Sequence, residues 1–313
     1  MLGRRQLRAK AMQSIYAYYR GNEEVALVKK NMLKGIEDVQ DLYLLLLSLV
    51  LSFKSEADHR IQIGKSKNFP TEQELNPNMR FSENAIFRIL AQNPQLSDFI
   101  EKNSQWSWEN ENIYTTKIFK EFTESQYYRD YMADVKHGFN RDREAIVHLF
   151  TEYIAPNEEI LAYLEDKNLH WADDLHIANS MVLNTLKSFT AKSDERTKLY
   201  KLLSDDEHLD FTIDLYLKTI ANDAETMRII DEKASNWELE RMALLDRIIL
   251  QMAITEFLFF PSIPPKVTIN EYLEIAKDYS TPNSNTFING ILDKVLHELE
   301  ENGRLRKSAR GMM

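Results

Sequence analysis

The chain has 313 residues, 43% of them hydrophobic and 28% charged, enough for one large domain or two ordinary ones with real cores. Its formal net charge is −10, and it has no cysteine, which excludes disulfides, cysteine-based zinc sites and a thiol nucleophile. Glycine and proline number only 8 each, so helix breakers are scarce and long helices are expected.

The first element is basic in an acidic protein. Residues 1–22 carry Arg4, Arg5, Arg8, Lys10 and Arg20 and no acid. Leu7, Ala11, Ile15 and Tyr18 fall on one narrow helical stripe, and Arg5 and Arg8 share a face beside it. Gly21 supplies a C-cap. Residues 4–20 therefore read as an amphipathic helix, its apolar side docked and its arginines displayed.

Residues 24–60 read as two further helices. The apolar run Leu42–Phe53 is too short for a bilayer, which needs about 20 residues, and reads as a buried core helix. The start, Met1-Leu2-Gly3-Arg4-Arg5, lacks the apolar stretch and cleavage site of a signal peptide, so a cytoplasmic protein is expected. Residues 64–80, with Gly64, Pro70 and Pro77, read as a loop. Helix follows helix from about 81 to 203, and no sustained β-branched alternation marks a strand. Residues 209–235 read as one helix.

Met242, Leu245, Ile249, Met252, Ala253 and Phe257 then wrap most of a helix circumference, leaving Glu240, Arg247, Gln251 and Thr255 as a polar strip. A helix that apolar is central to its domain. Pro261, Pro264 and Pro265 break it, and Thr268-Ile269-Asn270-Glu271 has capping-box spacing for the next helix. Pro282-Asn283-Ser284 ends that helix and starts the last one, where Gly290 suggests close approach of a neighbour. Residues 303–313 carry four further cations, and the body between the two basic ends sums to −19. Such asymmetry points to an anionic partner met by the termini.

Catalytic patterns are missing. There is no glycine-rich phosphate loop, no HExxH and no GxSxG. Asp173/His176 and Asp205/His208 fit D-x-x-H, but helical di-metal sites use Glu-x-x-His twice with two more glutamates, so these read as surface residues. No catalytic residue, metal site or cofactor is assigned. Asp246, near the apolar face of its helix, needs a partner, either inside the domain or on another protein. Arg4, Arg5 and Arg8 suit bidentate contacts to phosphate or guanine. Tyr16 lies on the Arg5 side and suits base stacking, whereas Tyr18 reads as packing. Phe287, in the first turn of the last helix, either stacks a base or plugs the core, and periodicity favours the core.

The segment "RRQLRAKAMQSIY" resembles the arginine-rich first helix of the NusB family, through Arg4, Arg5, Arg8, Ala11, Gln13, Ile15 and Tyr16. A second and more specific stretch is similar to the family's C-terminal signature, through Asp246-Arg247, Glu256, Ile263-Pro264, Ile269-Asn270-Glu271, Glu274-Ile275-Ala276-Lys277 and Phe287 to Asp293. The resemblance implies an all-α fold of two small helical subdomains and a protein that is not an enzyme. It implies binding of boxA-type single-stranded RNA together with the ribosomal protein NusE, so that RNA polymerase resists termination, mainly on ribosomal RNA operons. Carried over by position, Arg4, Arg5, Arg8, Tyr16, Asn283 and Phe287 become RNA-binding candidates, which reverses the core preference for Phe287. Glu240 and Asp246 become candidates for the basic ribosomal partner.

The chain departs from the family in size, more than twice the usual length. The expected organisation is a first helix over residues 1–21, a helical insertion over 22–205, a NusB-like core over 206–300 and a flexible basic tail over 301–313. The acidic insertion is not expected to be a second RNA grip. Two other readings stay open: a helical protein–protein scaffold without RNA affinity, and a module serving an RNA-modifying enzyme.

Overall fold

The computed structural model describes residues 3–21, 23–108, 110–135, 138–168, 170–200, 206–233 and 242–308. Among them every regular element is helical, as the composition and the family resemblance imply. The helices in chain order are α1 (Arg4–Gly21), α2 (Val25–Lys65), α3 (Glu72–Leu75), α4 (Ala85–Ala91), α5 (Pro94–Lys102), α6 (Asn112–Glu124), α7 (Gln126–Ala133), α8 (Phe139–Leu149), α9 (Glu158–Lys167) and α10 (His170–Ser188). They continue with α11 (Asp206–Ala221), α12 (Asp223–Lys233), α13 (Leu244–Phe259), α14 (Pro265–Tyr279) and α15 (Ser284–Glu301). A short 3-10 turn, Ser104–Trp106, and a π-helical segment, Phe150–Ile154, complete the set. The chain divides into two compact units, residues 1–36 with 203–313, and residues 37–202.

The first unit is built around α13. Ile248, Ile249, Leu250, Met252, Ala253, Ile254 and Phe257 have no exposed surface, as a helix apolar around its circumference requires. Helices α1, α11, α12, α14 and α15 all pack on it. Of the predicted stripe on α1, Leu7, Ala11 and Ile15 are fully enclosed and Tyr18 is half-buried. The supposed polar strip of α13 is no solvated face: Gln251 and Thr255 are buried too. Gln251 and Arg247 both donate to Asp223 of α12, which also accepts the Tyr19 hydroxyl at 2.6 Å.

Several local expectations change, and the loop expected over 64–80 holds the short helix α3, started by a Thr71–Glu74 capping box. Residues 25–60 form part of one helix of 41 residues, about 60 Å long at 1.5 Å per residue, because Gly35 alone costs too little to break it. Conversely, the segment expected as one helix over 209–235 holds two helices in its described part, up to Lys233. The Asn222 side chain donates to the Lys218 carbonyl at 2.7 Å, closing α11, and α12 starts at Asp223. Thr268 caps nothing, because α14 already starts at Pro265, whose ring suits a first helical position. Finally, Gly290 is exposed, and a Cβ there would meet open space, so no neighbouring helix requires it.

The C-terminal tail is docked as far as it is described. Arg304 pairs with Glu225, Ser308 N–H donates to the Pro261 carbonyl at 3.0 Å, and Lys307 donates to the carbonyls of Glu256 and Phe260. That ammonium serves the open C-terminus of α13. Its burial pushes the Lys307 pKa down to about 8, against the pull of Glu256.

The second unit has its own core. The run Leu42–Phe53 is buried as expected, with Leu42, Tyr43, Leu47, Leu49, Val50 and Phe53 fully enclosed. Among the described residues no helix is long and apolar enough to cross a membrane. Buried aromatic polar atoms are satisfied on this helix: Trp108 donates to the Leu45 carbonyl and Trp171 to the Asp38 carbonyl, each at 3.0 Å. Phe81, Phe87, Phe119, Phe122 and Tyr128 form an edge-packed cluster beside it.

Candidate nucleic-acid interface

The arginines of α1 divide by depth. Arg8 is 1% exposed, so the reading of it as a displayed cation is corrected. Its guanidinium forks onto Glu256 of α13, Nε to Oε2 at 2.9 Å and NH2 to Oε1 at 2.8 Å. Phe211 and Tyr272 enclose it, with ring centroids 5.2 and 5.8 Å away. Glu256 has no exposed surface and receives two further donors, Thr268 Oγ1 at 2.7 Å and the Tyr272 hydroxyl at 3.3 Å. Burial alone would lower the Arg8 pKa, but the bonds and charge of Glu256 outweigh it and hold the guanidinium above its ordinary value. Burial, then the charge of Glu256, pushes the Tyr272 phenol far up. A buried pair satisfied on this scale is a structural clamp, and removing one partner leaves an isolated buried charge.

Arg4 and Arg5 stay near the surface. Arg5 forks onto Glu271 of α14, Nε to Oε2 at 3.2 Å and NH2 to Oε1 at 3.0 Å, with Glu274 at 3.7 Å. Its side chain is 42% exposed. Arg4 pairs with Glu207 at 2.9 Å and lies over the Phe211 ring. Together with Gly3, Gln6, Ser262, Ile263, Pro264 and Val267 these groups line an open cleft of about 550 Å³. The basic helix is thus largely neutralised by acids of its own unit, although its sequence holds none.

The other candidates lie apart from this cleft. Tyr16 is 37% exposed, with the Arg20 guanidinium 5.6 Å from its ring centroid. It follows Arg5 by eleven residues, about 16 Å along the helix, so only an extended strand could touch both. Asn283 stands exposed before α15 and its side chain makes no capping bond. Phe287, one turn on, is half-buried. Asp246 is 7% exposed, and both its oxygens are engaged, by the hydroxyls of Ser280 and Ser284. The geometry therefore gives Asp246 partners inside its own unit. Glu240 and Asp205 lie outside the described residues.

Sequence reasoning missed Glu256 as the partner of Arg8 and Glu271 as the partner of Arg5. A signal for the first was present: a glutamate inside a helix otherwise buried all round requires a cation. Nothing local pointed to Arg8, which is 248 residues away in the chain.

What the geometry defines is an all-helical domain closed by a buried arginine–glutamate clamp, with an arginine-lined cleft at its first helix. Residues 173–297 match the NusB family model, and α1 lies outside the matched range. Relatives named "Transcription antitermination protein NusB" include that of Salinibacter ruber, 47% identical over 104 residues, covering 33% of this chain and 65% of the relative. That of Chloroherpeton thalassium is 36% identical over 139 residues, covering 42% and 66%. That of Koribacter versatilis is 45% identical over 96 residues, covering 31% and 66%. The chain thus spans just under two thirds of the length of these relatives. No solved structure matches it.

Proposed function

We propose that the protein acts by binding alone, as an RNA-binding antitermination factor of the NusB type in the cytoplasm. It engages boxA-type single-stranded RNA in nascent ribosomal transcripts together with the ribosomal protein NusE. The observation that carries this reading is the cleft at the start of α1, which Arg4 and Arg5 line while staying partly exposed in their ion pairs with Glu207 and Glu271. An exposed pair contributes about 0–1 kcal/mol, so phosphate can replace Glu207, which is 72% exposed, at little cost. Arg8 serves as a positioning residue that fixes α1 on α13. Tyr16, Asn283 and Phe287 supply further contacts along the strand, and the neutral amide of Asn283 adds no repulsion beside phosphate. The contact to the basic ribosomal protein is assigned to Glu240 and Asp246.

The test is fluorescence anisotropy of a labelled boxA-like RNA and a scrambled control at fixed, near-physiological salt, with and without NusE. Selective binding that tightens with NusE is expected. Equal, salt-sensitive binding to both RNAs would leave a non-specific basic helix. No binding even with NusE would favour the scaffold reading, to which the internal pairing of the arginines also lends support.

A further inference from the structure

A second cationic cleft lies in the other unit, at residues to which no role has been given. It measures about 500 Å³ and is lined by Tyr127 of α7, Arg141, Arg143 and His148 of α8, Thr151 and Lys187 of α10, with Glu144 and Val147 beside them. The unit holding it is acidic in sum, with 27 acids and 19 lysines and arginines over residues 37–202. Its cations are nonetheless unevenly committed. Arg141 is tied to Asp134 at 3.0 Å and to Glu144, the acid of the cleft, at 3.1 Å. Arg143 donates one nitrogen to the Phe189 carbonyl at 3.0 Å, which positions it without neutralising it. Lys187 is exposed, and among the described residues neither it nor Arg143 has a carboxylate partner. Two cations from different helices therefore face one cleft with their charge uncompensated.

The wall beside them is aromatic. The Tyr127 and His148 rings stack, centroids 3.7 Å apart and 22° from parallel. Thr151 sits on the π-helical segment Phe150–Ile154, closed by Ala155 N–H to the Phe150 carbonyl at 2.8 Å. Such widened turns are rare and recur at functional sites. Uncompensated cations next to a stacked ring pair match the two halves of a nucleotide, its phosphate and its base. The volume falls within the ordinary range of ligand sites, about 300–1,000 Å³.

We propose that this cleft binds a nucleotide phosphate, with Arg143 and Lys187 holding the phosphate and the Tyr127–His148 wall meeting the base. The source is either a free mononucleotide or one nucleotide of a single-stranded RNA. Arg5→Ala in the full chain serves as background, so that α1 does not supply the signal. Into it go inorganic phosphate, adenosine monophosphate and a short oligoadenylate, followed by calorimetric titration. Binding of adenosine monophosphate that exceeds binding of phosphate is expected, with at least a ten-fold loss in Lys187→Gln, recovery in Lys187→Arg and an unchanged unfolding midpoint. Tyr127→Ala should weaken adenosine monophosphate and leave phosphate unchanged. Oligoadenylate binding without mononucleotide binding, lost in Lys187→Gln, assigns the site to an RNA strand; mononucleotide binding assigns it to the free ligand. Absence of binding by all three probes, equal affinity for phosphate and adenosine monophosphate, or indifference to Lys187→Gln overturns the proposal. Because each outcome is read as the difference that Lys187→Gln makes in the same Arg5→Ala background, it is separate from the role given to α1.

Discussion

The two units treat positive charge in opposite ways. In the unit holding α1, a segment with five cations and no acid has Arg4, Arg5 and Arg8 matched by glutamates from α11, α13 and α14. In the unit of residues 37–202, acidic in sum, Arg143 and Lys187 share a cleft without a carboxylate partner. Net charge along a sequence therefore does not locate available charge. What counts is whether the fold brings an acid to within about 4 Å of each cation, and that depends on residues far away in the chain.

The comparison is broken most severely at Arg8. Arg8→Ala strands Glu256 and should destabilise the protein by about 3–5 kcal/mol, read by urea unfolding; Arg8→Met with Glu256→Leu should recover most of the loss. A loss below 1 kcal/mol in Arg8→Ala would show that the clamp is not a buried pair. Asp223 gives a pH test in the same unit. Burial raises its carboxyl, but the donors Tyr19, Gln251 and Arg247 prevail and hold it below the ordinary 3.8. The folded state then binds this proton less readily than the unfolded one. Its contribution is complete above the ordinary carboxylate range and fades as pH falls through the lowered value. Unfolding free energies measured between pH 5 and pH 2 should show a shallower acid decline in Asp223→Asn.

Smaller effects sharpen the contrast. Gly290→Ala should stabilise by up to about 1 kcal/mol, since the added methyl meets open space on an exposed helix face. Arg5→Ala should move stability by less than about 1 kcal/mol yet weaken RNA binding, separating its surface pair from the Arg8 clamp. Lys187→Gln should leave stability within about 0.5 kcal/mol, as expected of a cation with nothing to stabilise.

Much of the fold was legible in the sequence where the physics is local. Leu7, Ala11 and Ile15 of α1 and Ile249, Met252, Ala253 and Phe257 of α13 follow from 3.6-residue periodicity and are buried as expected, whereas Tyr18, Met242 and Leu245 are only half-buried. Boundaries went astray where two local signals competed. Pro265 starts α14 ahead of the Thr268 spacing, and the side chain of Asn222 ends α11 without any glycine or proline. The site was legible only in part. Residue type identified Arg4, Arg5 and Arg8 as partners for anions, which they are, but those anions are Glu207, Glu271 and Glu256. No periodicity links Arg8 to Glu256, because the pair is created by tertiary packing. The cleft around Lys187 was hidden for the converse reason, since an acidic average conceals a local excess of the other sign.

The clamp between α1 and α13 also bears on inheritance. Two codons 248 positions apart specify one buried pair, so neither can drift alone without exposing its descendant to a large loss of stability. Between them lies the unit of residues 37–202, whose sequence is under no such joint restraint at this pair. Lineages should therefore be able to remodel or shorten that middle unit, as lengthening a closed loop costs little, while Arg8 and Glu256 change only as a couple.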